Sequence, residues 1–351
     1  MDTKTEIPAD WRKEMARYLR WSMAVLVCVF WNVGAAGAQT VKVTPLGAAA
    51  GEFSALDRAL LFEDPTGVRI LYDPGLTVLP TDSRLGVVHA ILVSHGHGDH
   101  LGSTPAIAAA KNAAVIAAPN LTNFIGKKVQ AITGVPTPSC PPSPPGVGFN
   151  EMTVPRPGPC VALLGISGSR VVTMGGSGVE VATVPANHDS SAAAAALSDP
   201  LKTELATDGL SAYLDPANGF AVKFTNGLSV YLTGDTGLTA EMDTIVREFY
   251  QPSLMVINIG DLFTTGPEAA AFATTQLVRP NTVIPSHANE AATAGGDVVP
   301  GSRTARFIAA VKGGRDDHGH GHDRKGIRVH VPKSGITMEF DARGTCVNGC
   351  A

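Results

Sequence analysis

Three histidines and an aspartate crowd into six positions, at His95, His97, Asp99 and His100, within Ser94-His95-Gly96-His97-Gly98-Asp99-His100-Leu101-Gly102. Glycines separate them and no aliphatic side chain intervenes before Leu101, so the stretch is poorly suited to filling a core. It reads as a metal-binding loop. Neutral imidazole ligates zinc and other borderline divalent ions, and a carboxylate suits those ions as well as harder ones such as manganese. Four donors packed this closely exceed what one open catalytic ion requires, which points to two ions.

The elements that must position these donors are legible as short apolar runs. The β-branched run 87–93 precedes the loop and is of the kind that forms a buried strand, while the glycines permit a sharp turn where it ends. Further runs end on polar residues in the same way: 179–184 before Asn187-His188, 228–232 before Thr233-Gly234-Asp235-Thr236, 254–259 before Gly260-Asp261, and 282–286 before His287. Asn226-Gly227, between the runs 220–224 and 228–232, predicts a hairpin. The runs 59–63 and 67–72 around Asp64-Pro65-Thr66-Gly67 predict another. Tyr72-Asp73-Pro74-Gly75 is ordinary turn chemistry, but a carboxylate there can also accept a hydrogen bond from a ligating imidazole. Asp261, at the end of its own strand, is a candidate for the same supporting role. The alanine-rich segment 104–111 reads as a helix and 113–118 as a strand, and this succession points to a layered α/β fold.

At 351 residues, 44% hydrophobic and 17% charged, the chain is long enough for one large domain. A net charge of −4 provides no basic field for phosphate backbones, so a small molecule is expected as partner and nucleic acid is not. Residues 1–38 read as a signal peptide: Arg12, Lys13, Arg17 and Arg20 precede the apolar stretch 21–31, and Ala36-Gly37-Ala38 is a small-x-small cleavage site. Asn32 interrupts the stretch short of the ~20 residues a spanning helix needs, so no stable membrane insertion is expected after cleavage. A single exported domain, periplasmic or secreted, would then occupy 39–351. Its cysteines, Cys140, Cys160, Cys346 and Cys350, are even in number, and the pairing that needs least loop closure joins Cys140 to Cys160 and Cys346 to Cys350. Prolines from Pro136 to Pro159 mark about 119–170 as a Pro/Gly-rich surface insertion lacking long helices and central strands, either a lid or a passive excursion. Asp316-Asp317-His318-Gly319-His320-Gly321-His322-Asp323 is a second histidine cluster, read as a solvated loop rather than a catalytic site.

The order His95, His97, Asp99, His100, then Asn187-His188, Thr233-Gly234-Asp235-Thr236 and Pro285-Ser286-His287 resembles the metallo-β-lactamase-fold superfamily over most of residues 39–351. Within it, Phe263-Thr264-Thr265-Gly266-Pro267-Glu268 is similar to the ascorbate-6-phosphate-lactonase-like branch. The resemblance implies a four-layer αβ/βα sandwich with a dinuclear site at one edge. His95, His97 and His188 would hold the first ion, Asp99, His100 and His287 the second, and Asp235 would bridge. Zinc is the expected ion, with manganese or iron as alternatives. A hydroxide shared between the ions would be the nucleophile, and Asp99 would orient it and shuttle a proton. Zinc β-lactamases usually lack the bridging aspartate, so Asp235 weighs against antibiotic hydrolysis. A lactone or other ester is the favoured substrate, with a phosphodiesterase or a non-catalytic metal-binding module as alternatives.

Overall fold

The computed structural model describes residues 39–140, 150–313 and 326–350. The signal-peptide reading and the second histidine cluster lie outside the described residues. Two sheets of eight strands dominate. In the first the order is Cys346–Asn348, Met338–Phe340, Val41–Pro45, Leu60–Glu63, Arg69–Tyr72, Ala90–Leu92, Ala114–Ala117 and Cys160–Leu163, the last four running parallel. In the second it is Arg328–Val329, Thr282–Ser286, Leu254–Asn258, Ser229–Leu232, Asn218–Lys223, Gly178–Pro185, Ser169–Thr173 and Glu151–Thr153, the first four parallel. Both expected hairpins form, with Leu60 opposite Tyr72 and Phe220 opposite Leu232.

Strands covered on both faces tend to be apolar throughout, and Ala90–Leu92 and Ala114–Ala117 are buried and apolar at every position. Val43, Phe62, Ile70 and Tyr72 of the first sheet meet Val181, Phe220, Val222, Val256 and Ile284 of the second in one core. Phe62 stacks on Phe224 with ring centroids 5.6 Å apart, and Tyr72 meets Phe220 edge-on at 6.3 Å. The outer face of the first sheet packs Leu71, Ile91 and Val115 against the helices Thr104–Lys111 and Pro119–Thr133. That of the second packs Met255, Ile257 and Val283 against Met242–Tyr250, Pro267–Phe272 and Arg303–Gly313. The layers are therefore helix, sheet, sheet, helix, as expected.

The segment 119–170 corrects the sequence reading. It contains the 15-residue helix Pro119–Thr133, because Pro119 sits in the first turn, where no amide hydrogen is needed, and Leu121, Ile125 and Val129 recur on one buried face. The chain leaves the helix at Gly134, with φ 75°, before the prolines begin. Cys160–Leu163 then extends the first sheet, and Glu151–Thr153 and Ser169–Thr173 extend the second. The segment is woven into both sheets rather than looped over them. Cys140 is bonded to Cys160 and Cys346 to Cys350, in the expected pairing.

Phe220 is fully buried where the sheets meet. Phe220→Ala should lower unfolding free energy by about 3–5 kcal/mol, the cost of deleting a core aromatic ring, as read from urea denaturation.

Candidate metal centre

The parallel strand Ala90–Leu92 delivers the chain into Ser94-His95-Gly96-His97 and then the one-turn helix Gly98–Leu101, which carries Asp99 and His100. Asp73, from the end of the neighbouring strand, holds this loop from beneath. Its carboxylate accepts from the Ser94 backbone amide at 2.8 Å, from Ser94 Oγ at 2.7 Å and from His100 Nδ1 at 2.8 Å. Since Ser94 Oγ donates to Asp73, it accepts from His95 Nδ1 at 2.9 Å. Both histidines are thereby fixed with Nε2 facing inward. The turn at Gly75 presses on the loop so closely that a Cβ on Gly102 would lie 2.0 Å from the Gly75 carbonyl oxygen. Glycine is obligatory at that crossing.

The second sheet supplies the remaining donors from three strand ends. His188 follows Gly178–Pro185, Asp235 follows Ser229–Leu232, and His287 follows Thr282–Ser286 with φ 50°. Buried Asn258 ties these ends together: its Nδ2 donates to Thr236 O at 3.1 Å and Thr265 Oγ1 at 2.7 Å, while its Oδ1 accepts from Thr233 Oγ1 at 3.1 Å. The Asn187 amide donates to Thr236 Oγ1 at 2.9 Å, which sets His188 beside Asp235. The Gly234 amide donates to Tyr72 Oη at 3.0 Å, joining the two sheets at the rim.

All seven expected donors are brought together. His95, His97 and His188 form one group and Asp99, His100 and His287 another, with the donor atoms of each group within 4.8 Å of one another. Asp235 lies between them: its Oδ2 is 3.7 Å from His188 Nε2, 4.0 Å from His95 Nε2 and 3.0 Å from His287 Nε2, and its Oδ1 is 3.3 Å from His100 Nε2. His97 is reversed, with Nδ1 inward at 3.0 Å from His95 Nε2 and Nε2 outward at 3.3 Å from Asp189.

Electrostatics favour a cation here. Buried His100 Nε2 and Asp235 Oδ1 face each other without a hydrogen bond among the described residues, as ligand atoms aimed at a shared ion would. Burial opposes charge on His100, but Asp235 and Asp73 outweigh it and push the imidazole up to about 10. Burial also opposes charge on Asp235, yet His100 and His287 hold it well below the usual carboxylate range. Asp99 is lowered despite its own burial, by His287, His100 and Arg58. His95, buried and close to His100, is driven well down and stays neutral, ready to ligate. Five imidazoles and two carboxylates, at His95, His97, His100, His188, His287, Asp99 and Asp235, suit two borderline divalent ions.

Asp261 departs from expectation. Its Oδ2 accepts from Arg303 Nε at 3.1 Å at the rim of the cleft rather than supporting a histidine, because Gly260 and the following turn carry it past the ligands. Glu268 pairs with Arg306 near the surface. Arg58 carries no signal in the sequence: it is buried, and its Nη2 donates to Asp99 Oδ2 at 3.2 Å and Asn289 Oδ1 at 3.1 Å. Asn258, Asn289 and Asp189 were missed as well, since no local pattern marks a lone polar residue at a strand end or turn.

Residues 68–288 match the β-lactamase superfamily domain. The chain belongs to the metallo-β-lactamase-fold superfamily. A metal-dependent hydrolase of Cupriavidus taiwanensis is 34% identical over 257 residues, covering 70% of this chain and 77% of that one. One of Polynucleobacter asymbioticus is 30% identical over 287 residues, 79% of this chain and 81% of that one. The structure of a metallo hydrolase from the hyperthermophilic archaeon Ignicoccus hospitalis shares the fold, with a TM-score of 0.55 at 22% identity over 86% of this chain and 99% of that one. As a metallo-β-lactamase-fold protein with this donor set, the chain is a metal-dependent hydrolase.

Folding raises His100 from 6.5 to about 10 in the metal-free chain, so its proton contributes stability in full below about pH 6.5 and that contribution is lost as pH climbs through 10. Metal uptake near pH 8 must displace this proton. Calorimetric heats of metal binding should therefore differ between buffers of different ionisation enthalpy, and less so in Asp73→Asn; heats independent of buffer would contradict a protonated His100.

Proposed function

We propose that the protein is an exported dinuclear hydrolase of a lactone or other ester. The observation that carries the reading is Asp235, a single carboxylate whose two oxygens face both donor groups at once. His95, His97 and His188 would hold one ion and Asp99, His100 and His287 the other, with Asp235 between; zinc suits such donors. Bound divalent cations supply a Lewis acid for a carbonyl oxygen and bring the ionisation of water close to neutral pH.

The protein's own groups account for the rest. Asp99 borders the cleft, and His287, His100 and Arg58 hold its carboxylate ionised, so it is placed to accept a hydrogen bond from the attacking water and orient it. Asp73 fixes His100 in one orientation, and Asp189 does the same for His97. The cleft above them has a volume of about 710 Å³, in the range of small-molecule sites. Its lining includes Arg303, but that guanidinium is engaged by Asp261 and Glu290, leaving it poorly placed to receive a phosphate. This favours a neutral ester over a phosphodiester. The ascorbate-type resemblance of residues 263–268 agrees with a lactone, and the signal-like pattern of residues 1–38 supports export. Among the described residues no helix is long and apolar enough to cross a membrane.

Metal analysis together with turnover of chromogenic esters, lactones and bis-(p-nitrophenyl) phosphate tests the proposal. Two equivalents of metal and preferential ester or lactone hydrolysis are expected. Asp235→Ala should lose metal and lower kcat/KM by about 100-fold or more, the scale of removing one charge-stabilising group. A metal-loaded protein inert to every substrate would instead mark a binding module. Arg58→Met should leave Asp99 without its buried partner and cut kcat by about 10–100-fold with KM little changed, as for other residues that support metal ligands.

A further inference from the structure

The cleft is lined by two apolar side chains that the chemistry above does not use. Leu262 and Phe263 line it together with His97, His188 and Asp99, yet are 88% and 71% exposed. Scattered exposed apolar residues are ordinary, but these are adjacent and share one wall of a site.

The backbone makes this placement costly. Asp261 and Leu262 both have φ 58°, and the Phe263 amide donates to Asp261 O at 2.7 Å, so Leu262 stands at the centre of a γ-turn of the rare, strained hand. A leucine rarely adopts such a conformation, and strained residues gather at ligand clamps. The turn is braced at its base: Asp261 pairs with Arg303, Thr265 Oγ1 donates to Asn258 O at 2.8 Å, and the Thr265 amide donates to Thr236 O at 3.1 Å. The His188 ring lies against the backbone of Phe263, which ties the turn to the donor cluster. A fixed base therefore presents an apolar tip beside the donors.

We infer that Leu262 and Phe263 form a subsite for an apolar acyl or alkyl arm of the substrate, so that the preferred ester or lactone carries a hydrocarbon chain. This rests on the hydrolase reading above. A protein partner is the poorer fit, since two side chains fall far short of the ~1,200 Å² that stable interfaces bury. The cleft instead is lined by the metal-ligand candidates, by this apolar pair and by the polar Asp189, Asn289 and Arg303, a mixture that suits a molecule with one reactive and one apolar end.

The test uses the metal-loaded protein and calorimetric titration with sodium acetate, butyrate and octanoate, whose tails differ only in length. Octanoate should bind ~10-fold tighter than acetate, roughly the gain from burying two of its extra methylenes. In the L262S/F263S double variant, with metal content intact, that ratio should fall to within ~3-fold. Phe263→Ser alone, which leaves Leu262 in place, should lower it part-way and serves if the double variant does not fold. Affinity independent of tail length in the unaltered protein, or an undiminished ratio in the variants, overturns the subsite. Parallel kinetics on p-nitrophenyl acetate, butyrate and octanoate separate the two claims. Absence of ester turnover with length-dependent binding sinks the ester reading and sustains the apolar subsite; turnover with a flat length profile sinks the subsite and sustains the ester reading.

Discussion

Asp73, Asp99 and Asp235 converge at the carboxyl ends of strands from two sheets, and Asp73 and Asp235 are almost wholly removed from water. A carboxylate in such a place must be compensated, because its own burial raises the free energy of its charge. Arg58 faces Asp99, and the His100 ring lies between Asp73 and Asp235. Much of the neighbouring architecture follows from that need. The strained backbone at Asp73, His287 and Asn289, the glycine contact at Gly75 and Gly102, and the Asn258 network all hold donors close together that would otherwise separate.

The donors were legible because they are dense in type and sparse in alternative use. Three histidines and an aspartate in six positions cannot build a core, and His188, Asp235 and His287 each end an apolar run of strand length. Their supports were legible only in part. Asp73 lies beside a proline-glycine turn and was considered for its role, whereas Asp261 has the same strand-end placement and serves a different one. The sequence alone cannot separate the two, since the distinction lies in which neighbour packs beneath. Arg58 and Asn289 are 231 residues apart in the chain, and their hydrogen bond exists only after both sheets have assembled.

Segment 119–170 shows the same limit in the fold. Its prolines and glycines are loop-forming on average, but the first proline, Pro119, starts a helix rather than preventing one, and the Leu121, Ile125 and Val129 stripe precedes the dense cluster. Composition taken over fifty residues concealed a periodicity confined to fifteen. The short strands beyond it carry little signal of their own: Cys160–Leu163 pairs with Ala114–Ala117 and Glu151–Thr153 with Ser169–Thr173, partners outside their immediate neighbourhood in sequence.

The seven donors divide unevenly between the sheets. His95, His97, Asp99 and His100 hang from the first, and His188, Asp235 and His287 from the second. An ion gripped by both would act as a rivet through the open end of the sandwich, resisting the hinge-like parting of its halves. Endurance and reactivity would then share one fastening, so a chain starved of metal would grow fragile at the very mouth through which its substrate must enter.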